Sequence, residues 1–382
     1  MIEAAFFCNE LRERGTDFFA GVPDSLLKHL CAYLAENVPA DTYHIAVNEG
    51  AAVALACGYH FATGKIPLIF MQNSGLGNAV NPLLSLADGD VYRVPLVLVI
   101  GWRGEPGVPD EPQHSKQGRV TRELLGAMEI PFVVLAKEET AARRQVAECY
   151  ESIARTGSAF AFLVQKDTFL PYRMKSDEES GALMSREEAI EAVVTSAPGD
   201  HVIVSTTGMA SRELYELREK YRMGHERDFL TVGSMGHASQ IALGIAHGCA
   251  RSCARQKNPL RVIVLDGDGA VLMHLGALAS LGVEKPENVL HIVLNNRAHD
   301  SVGGQPTIAG HVDLCGIARA CGYERVLRVE TRAALQEALK NTDNGLTFIE
   351  VVVKKGSRQD LGRPRSTPEE NKIALMRYVQ SF

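Results

Sequence analysis

Short runs of apolar and β-branched residues recur along the chain, each followed by a longer stretch in which apolar positions return every three or four residues. The short runs predict strands over 17–22, 43–47, 66–71, 95–100, 130–135 and 159–165, and again over 201–205, 229–232, 261–265, 289–294, 325–329 and 347–353. The intervening stretches are long enough for helices, and strands alternating with helices predict parallel sheets covered on both faces. Residues 171–182, PYRMKSDEESGA, are polar and charged without periodicity and predict a connection between two halves of six strands each. The expected fold is α/β, two tandem domains, each a mainly parallel six-stranded sheet flanked by helices. The expected boundaries are 1–175 for the first domain, 176–182 for the linker and 183–382 for the second domain.

Composition narrows the partners. With 46% hydrophobic and 23% charged residues in 382, the chain reads as soluble and globular. The 40 Lys+Arg stand against 46 Asp+Glu for a formal charge of -6, and the basic residues form no tract, which argues against nucleic acid. No apolar run approaches the roughly 18 residues of a membrane span, and the first residues, MIEAAFFCNELRERG, lack the apolar stretch of a signal peptide. The eight cysteines (8, 31, 57, 149, 249, 253, 315 and 321) form no Cys-x-x-Cys and mostly fall in apolar helical patterns, which fits a reducing compartment. A cytoplasmic location, small-molecule partners and no contact with nucleic acid or membrane are therefore expected.

The strongest chemical signal lies in the second half. RVIVLDGDGAVLM sets Gly267, Asp268 and Gly269 directly after one expected strand, and VLHIVLNNRAHDS sets Asn295 and Asn296 directly after the next. Asp268 and Asn296 are 28 positions apart, and one βαβ crossover takes about 30 residues, so both should emerge at the carboxyl edge of neighbouring parallel strands. A carboxylate, an amide oxygen and a nearby backbone carbonyl suit Mg²⁺, whose other positions are commonly filled by phosphate and water. Glycines at 267 and 269 let the backbone come close to a diphosphate. An EF-hand would need further acids after Asp268, and a phosphotransferase built on Asp266 and Asp268 would need a downstream Asp-Asp pair that is missing. In GLGNAVNP a nucleotide loop is begun by Gly75 and Gly77, but Val80 stands where its third glycine would be.

Gly-Asp-Gly followed at this interval by Asn-Asn resembles the thiamine-diphosphate (ThDP) enzymes. The resemblance implies that Asp268, Asn296 and the Ala298 carbonyl hold Mg²⁺, and that Gly208, Gly267, Asp268, Gly269 and Asn296 bind ThDP. That cofactor requires a carboxylate at its aminopyrimidine ring, and YHIAVNEGAAVALACGYHFATG resembles the pyrimidine-domain stretch of the family with Glu49 in the catalytic place. TVGSMGHASQIALGIA resembles the stretch in which an apolar residue, here Met235, wedges the cofactor into a bent shape. The two domains thereby become a pyrimidine-binding and a diphosphate-binding domain.

Most of the family carries a third domain for which this chain has no room. The compact order, with GVPDS (21–25), MQNSGLGN (71–78), DEPQHSKQGR (110–119), HDSVGGQPT (299–307) and KGSRQDLGRP (355–364), resembles the decarboxylases of phosphonopyruvate and of sulfopyruvate. This implies ThDP- and Mg²⁺-dependent decarboxylation of a small 2-oxo acid, 3-phosphonopyruvate first and sulfopyruvate or another 2-oxo acid as the alternative. A substrate with two anionic groups needs donors and cations, for which Ser25, Asn73, Ser74, Lys116 and Arg119 are candidates. Asp24, His114 and His299 are candidate proton donors. The resemblance also implies at least a homodimer, with sites between chains.

Overall fold

The computed structural model describes residues 1–174, 183–197, 199–252, 260–340 and 345–382. The chain divides into two compact units, Met1–Asp177 and Glu178–Phe382. The expected linker at 176–182 and Cys253 lie outside the described residues.

The first unit carries β1 (Phe19–Gly21), β2 (Tyr43–Ile45), β3 (Leu68–Gln72), β4 (Val97–Gly101), β5 (Phe132–Val134) and β6 (Phe160–Val164) in one sheet of order β2-β1-β3-β4-β6-β5. Every neighbouring pair is parallel. The inner strands β1, β3, β4 and β6 are buried on both faces, which is why they read as continuous apolar runs rather than as alternation, and the edge strands β2 and β5 are half-buried. In β3, Leu68 and Phe70 join Phe7, Leu11, Val97, Val99 and Phe162 on one side. Ile69 and Met71 join Ala52, Val53, Leu98, Ile100 and Leu163 on the other, as the two-residue period of a strand requires. β5 begins later than the sequence suggests because Pro131 has no N–H to give to a ladder.

The second unit carries β7 (His201–Ser205), β8 (Asp228–Leu230), β9 (Arg261–Gly267), β10 (Val289–Asn295), a short antiparallel hairpin of β11 (Ala298–His299) and β12 (Gln305–Pro306), then β13 (Arg325–Val329) and β14 (Thr347–Val352). The large sheet is parallel, in the order β13-β14-β10-β9-β7-β8. Counted along the chain and read from β8, this is second, first, third, fourth, sixth, fifth, the same order as in the first unit. All twelve expected strands are present. The hairpin was not expected, and β9 and β10 run on to Gly267 and Asn295, so that each ends against its motif.

Two helices position candidate residues. Asn48 caps the helix Glu49–Thr63 by accepting the Ala51 N–H, and Gly64 closes it in the left-handed conformation at φ 71°. HSKQGR lies in the helix Pro112–Ala127, which Pro112 opens in its first turn. Among the described residues no helix is long and apolar enough to cross a membrane.

Candidate functional site

In the first unit the candidate residues gather at the carboxyl edge of the sheet. Asp24, in the turn after β1, is fully buried. Its Oδ1 accepts from Gln72 Nε2 at 2.5 Å and its Oδ2 from the Leu26 N–H at 2.8 Å. A side chain at Gly101, the last residue of β4, would meet Asp24 Oδ2 at 2.1 Å, so glycine there makes room for the carboxylate. Burial raises the Asp24 carboxyl above its ordinary value, against the opposing pull of Gln72, Leu26 and the Arg103 guanidinium.

Arg103 follows β4 and was missed in the sequence. Its Nη1 donates to Ser25 Oγ at 2.7 Å, and its Nε and Nη2 grip Asp110, with Nε at 2.8 Å from Oδ2. Asn73 fixes the backbone of the same residue: its Nδ2 donates to the Arg103 carbonyl at 2.8 Å, and its Oδ1 accepts the Arg103 N–H at 3.2 Å. Burial would raise the Asp110 carboxyl, but Arg103 and the N–H groups of Glu111 and Gly104 hold it below the usual range. Ser74, exposed, donates to Gln72 Oε1 at 2.7 Å. The structure therefore brings Asp24, Ser25, Asn73 and Ser74 together through two residues not foreseen, Gln72 and Arg103.

His114 is 8% exposed, and no group in the described residues reaches its Nδ1. Burial, then Arg103, lowers its pKa to about 4, so the ring is neutral near pH 7. Lys116 and Arg119 do not join this cluster. They sit in the helix Pro112–Ala127, whose spacing turns His114, Gly118 and Thr121 inward while positions 116 and 119 are exposed.

Glu49 opens its helix after β2 with 5% of its surface exposed, and its Oε2 accepts from Asn78 Nδ2 at 2.8 Å. Two glycines allow the approach of its neighbours. A side chain at Gly75 would come within 2.3 Å of Glu49 Oε1, and one at Gly50 within 2.8 Å of the Asn78 carbonyl. Gly75 of GLGNAVNP thus serves close packing against a buried carboxylate, whereas Gly77 has open space where a side chain would stand.

In the second unit, β9 and β10 are parallel neighbours in which Gly267 pairs with Leu294, so Asp268 and Asn296 leave the same edge side by side. Asp268 is 2% exposed and its Oδ2 accepts from the Thr307 hydroxyl. Burial raises its pKa to about 6, against the Thr307 and Gly269 hydrogen bonds. The β11–β12 hairpin is what returns Thr307 to this place, where its N–H also reaches the Arg297 carbonyl at 2.9 Å.

Each asparagine of the pair is held by a carboxylate. Asn295 Nδ2 donates to the buried Glu350 Oε1 at 2.7 Å while its Oδ1 accepts the Arg297 N–H at 3.1 Å. Asn296 Nδ2 donates to Asp300 Oδ2 at 2.7 Å while its Oδ1 accepts the Ala298 N–H at 3.0 Å. A carboxylate can only accept, so both amide orientations follow from their partners.

The remaining candidates surround this edge. Gly208, at φ 96° and ψ -135°, adopts a conformation open only to glycine and precedes the helix Met209–Tyr221. Gly269 has the His299 ring where a side chain would stand, at 2.7 Å from Cε1. Burial lowers the His299 pKa to about 4, against the nearby Asp300. Met235 is half-buried, between Ser234 at φ 51° and Gly236 at φ 84°. A side chain at Gly236 would strike the Ala270 carbonyl at 2.9 Å, which sets the Met235 turn beside the helix that Asp268 begins.

Among the described residues no group of three or more His, Cys, Asp or Glu is arranged to hold a metal. The donors at this edge are of another composition: the Asp268 carboxylate, the Asn296 amide oxygen and backbone carbonyls, beside glycines that leave backbone uncovered. Such a set fits Mg²⁺ with a diphosphate, and Asp268 is a buried carboxylate that no cation of the described residues pairs with.

Comparisons with known proteins place both halves. Residues 3–124 match the N-terminal TPP binding domain of thiamine pyrophosphate enzymes, TPP being the same cofactor as ThDP, and residues 206–351 match the C-terminal TPP binding domain. A phosphonopyruvate decarboxylase of Streptomyces viridochromogenes is 36% identical over 97% of this chain and 93% of its own length. A second, from Streptomyces hygroscopicus, is 36% identical over 97% of this chain and 92% of its own. A sulfopyruvate decarboxylase of Methanosarcina acetivorans is 29% identical over 95% of this chain and 94% of its own.

Proposed function

We propose that this chain, which belongs to the phosphonopyruvate decarboxylase family of thiamine pyrophosphate enzymes, decarboxylates 3-phosphonopyruvate to phosphonoacetaldehyde and CO₂ with ThDP and Mg²⁺. The observation that carries this reading is similarity to two phosphonopyruvate decarboxylases at 36% identity across both units, against 29% to a sulfopyruvate decarboxylase. The bond between the carboxylate carbon and the ketone carbon breaks, CO₂ leaves without its electron pair, and a proton takes its place. Bound ThDP supplies the electron sink for that pair.

The chain's own residues divide the remaining work. Asp268, Asn296 and the Ala298 carbonyl hold Mg²⁺, and the uncovered backbone at Gly208, Gly267 and Gly269 receives the diphosphate. Met235 would pack against the bound cofactor. Glu49, buried and fixed by Asn78, would be the carboxylate that serves the aminopyrimidine ring. Arg103 Nη1 and Ser25 Oγ, with Asn73 and Ser74 at the same edge, hold the substrate's second anionic group, a part for which Lys116 and Arg119 are the candidates in the sequence alone. Asp24 is the candidate for the proton donor, with its carboxyl raised above the ordinary value by burial, whereas the His114 and His299 rings, at about 4, are neutral near pH 7 and have no proton to give as acids. Assembly into at least a homodimer in the cytoplasm belongs to the same reading; light scattering across a dilution series tests the assembly.

The test is CO₂ release from 3-phosphonopyruvate and from sulfopyruvate after both cofactors are stripped and restored. Turnover that needs ThDP and Mg²⁺ and favours phosphonopyruvate is expected. Arg103→Ala should raise KM for phosphonopyruvate by about 10-fold to 100-fold, the worth of a charge-assisted contact, with ThDP dependence unchanged. Preferred turnover of sulfopyruvate would move the reading to the alternative acid.

A further inference from the structure

Behind Asn296 stands a buried network that the reaction itself does not use. Asp300 Oδ2 accepts from both Asn296 Nδ2 and Arg186 Nη1, each at 2.7 Å, and Asp300 also receives the Gly356 N–H at 3.1 to 3.2 Å. Arg186, 7% exposed, spends its other two nitrogens on Glu213, with Nε at 2.7 Å and Nη2 at 2.9 Å. Glu213 is 1% exposed and lies on the helix Met209–Tyr221, which follows Gly208. Arg186 lies in the helix Arg186–Ser196, anchored by the Ser185 and Glu188 capping box. One chain of contacts thus runs from two helices through Asp300 to a single amide nitrogen.

We infer that Asp300 is a positioning residue that fixes the rotation of the Asn296 amide, so that Oδ1 rather than Nδ2 is presented at the metal-holding edge. An amide has two ends of nearly the same shape, and only one can bind a cation. Asp300, as an obligate acceptor, holds Nδ2. Oδ1 has two lone pairs, and the Ala298 N–H occupies one of them. Arg186 and Glu213 keep Asp300 from turning away. The inference rests on the reading of Asp268 and Asn296 as Mg²⁺ holders.

The experiment titrates Mg²⁺ into metal-free protein at a fixed, saturating ThDP concentration and follows the unfolding midpoint, so that no turnover is needed. Wild type should give a defined Mg²⁺ constant, and Asn296→Ala should lose it; if wild type shows no Mg²⁺ response or Asn296→Ala keeps it, the underlying site assignment fails. With that assignment intact, Asp300→Ala should weaken Mg²⁺ by about 10-fold to 100-fold, the usual loss when an outer partner of a ligand is removed. Asp300→Asn keeps an acceptor oxygen but loses the charge, and should stay within about threefold of wild type. Asn296→Asp in the Asp300→Ala background should recover most of the loss, because a carboxylate presents oxygen whichever way it turns. Asp300→Ser, too short to reach the amide, replaces Asp300→Ala if the latter does not fold. A wild-type Mg²⁺ constant in Asp300→Ala, an Asp300→Asn as weak as Asp300→Ala, or a double variant no better than the single would each overturn the inference.

Discussion

Gly75 is the position at which one methyl group can test Glu49 without altering its chemistry. A Cβ at residue 75 would stand 2.5 Å from Cγ and Cδ of Glu49 and 2.3 Å from Oε1, against an ordinary carbon–carbon contact of about 3.5 Å. Relief takes a displacement of about 1 Å. The backbone at Gly75 has φ -74° and ψ -14°, which alanine adopts freely, and the loss of unfolded-chain freedom favours the folded state by about 0.4–1 kcal/mol. The glutamate side chain is therefore the part that moves, out of its hydrogen bond with Asn78. A catalytic group misplaced by about 1 Å costs on the order of 10²-fold in rate, or about 2.7 kcal/mol in the barrier. Gly75→Ala should lower kcat for CO₂ release about 100-fold while Mg²⁺-dependent ThDP binding persists and stability stays within about 1 kcal/mol of wild type. Glu49→Gln sets the floor in the same assay, and adding Gly75→Ala to it should cost nothing further, because both act on one group. A kcat within about threefold of wild type, or full additivity in the double variant, would refute the reasoning.

Two further outcomes follow from the site. Asp268→Ala should abolish the stabilisation that ThDP and Mg²⁺ together confer, about 2.7 kcal/mol at 100 times the dissociation constant; calorimetry of wild type and variant with and without both additions checks it. His114 binds its proton less readily when folded, with a pKa of about 4, than unfolded at about 6.5. Between those values the unfolded chain holds more protons, so this residue's contribution to stability is full above about pH 6.5 and is lost as pH falls toward 4, by on the order of 3 kcal/mol. Trp102, the single tryptophan, is buried with its Nε1 bonded to the Gly118 carbonyl on the helix of His114, so its emission reports unfolding of this unit. Urea unfolding followed by that emission should show His114→Gln with a shallower decline over this pH range, and an unchanged slope would refute the assignment.

Much of the fold was legible because the inner strands of both sheets are buried on both faces and announce themselves as largely apolar runs. Asp268 and Asn296 were legible for the same reason: each directly follows such a run. What could not be read was pairing across distance. Asp300 falls inside a stretch that stood out in the sequence, but its partner Arg186 is 114 positions away. Arg103 ends the apolar run VLVIGWR and so carried a readable signal, the same carboxyl-edge position as Asn296. The Gly- and Pro-rich RGEPGVPD that follows hid it, because nothing local shows Asp110 folding back onto its guanidinium. Lys116 and Arg119 drew attention as cations near His114, and the sequence around them does not announce the helix that carries them. Pro112 opens its first turn, and the helix points these two cations away from the inward residues.

The shared strand order has a consequence for how such a chain can change. In each unit the candidate residues follow the same four strands: Asp24 and Gly208 the first, Glu49 and Met235 the second, Asn73 and Asp268 the third, Arg103 and Asn296 the fourth. One backbone plan is thus used twice, and on the proposed reading the corners of one copy serve the substrate and the aminopyrimidine ring while those of the other serve metal and phosphate. Turns at the amino edges, such as 88–93 and 129–131, bear none of these residues. On the proposed reading, insertions and drift there bear on folding alone, while an exchange at one of the eight corners bears on the chemistry.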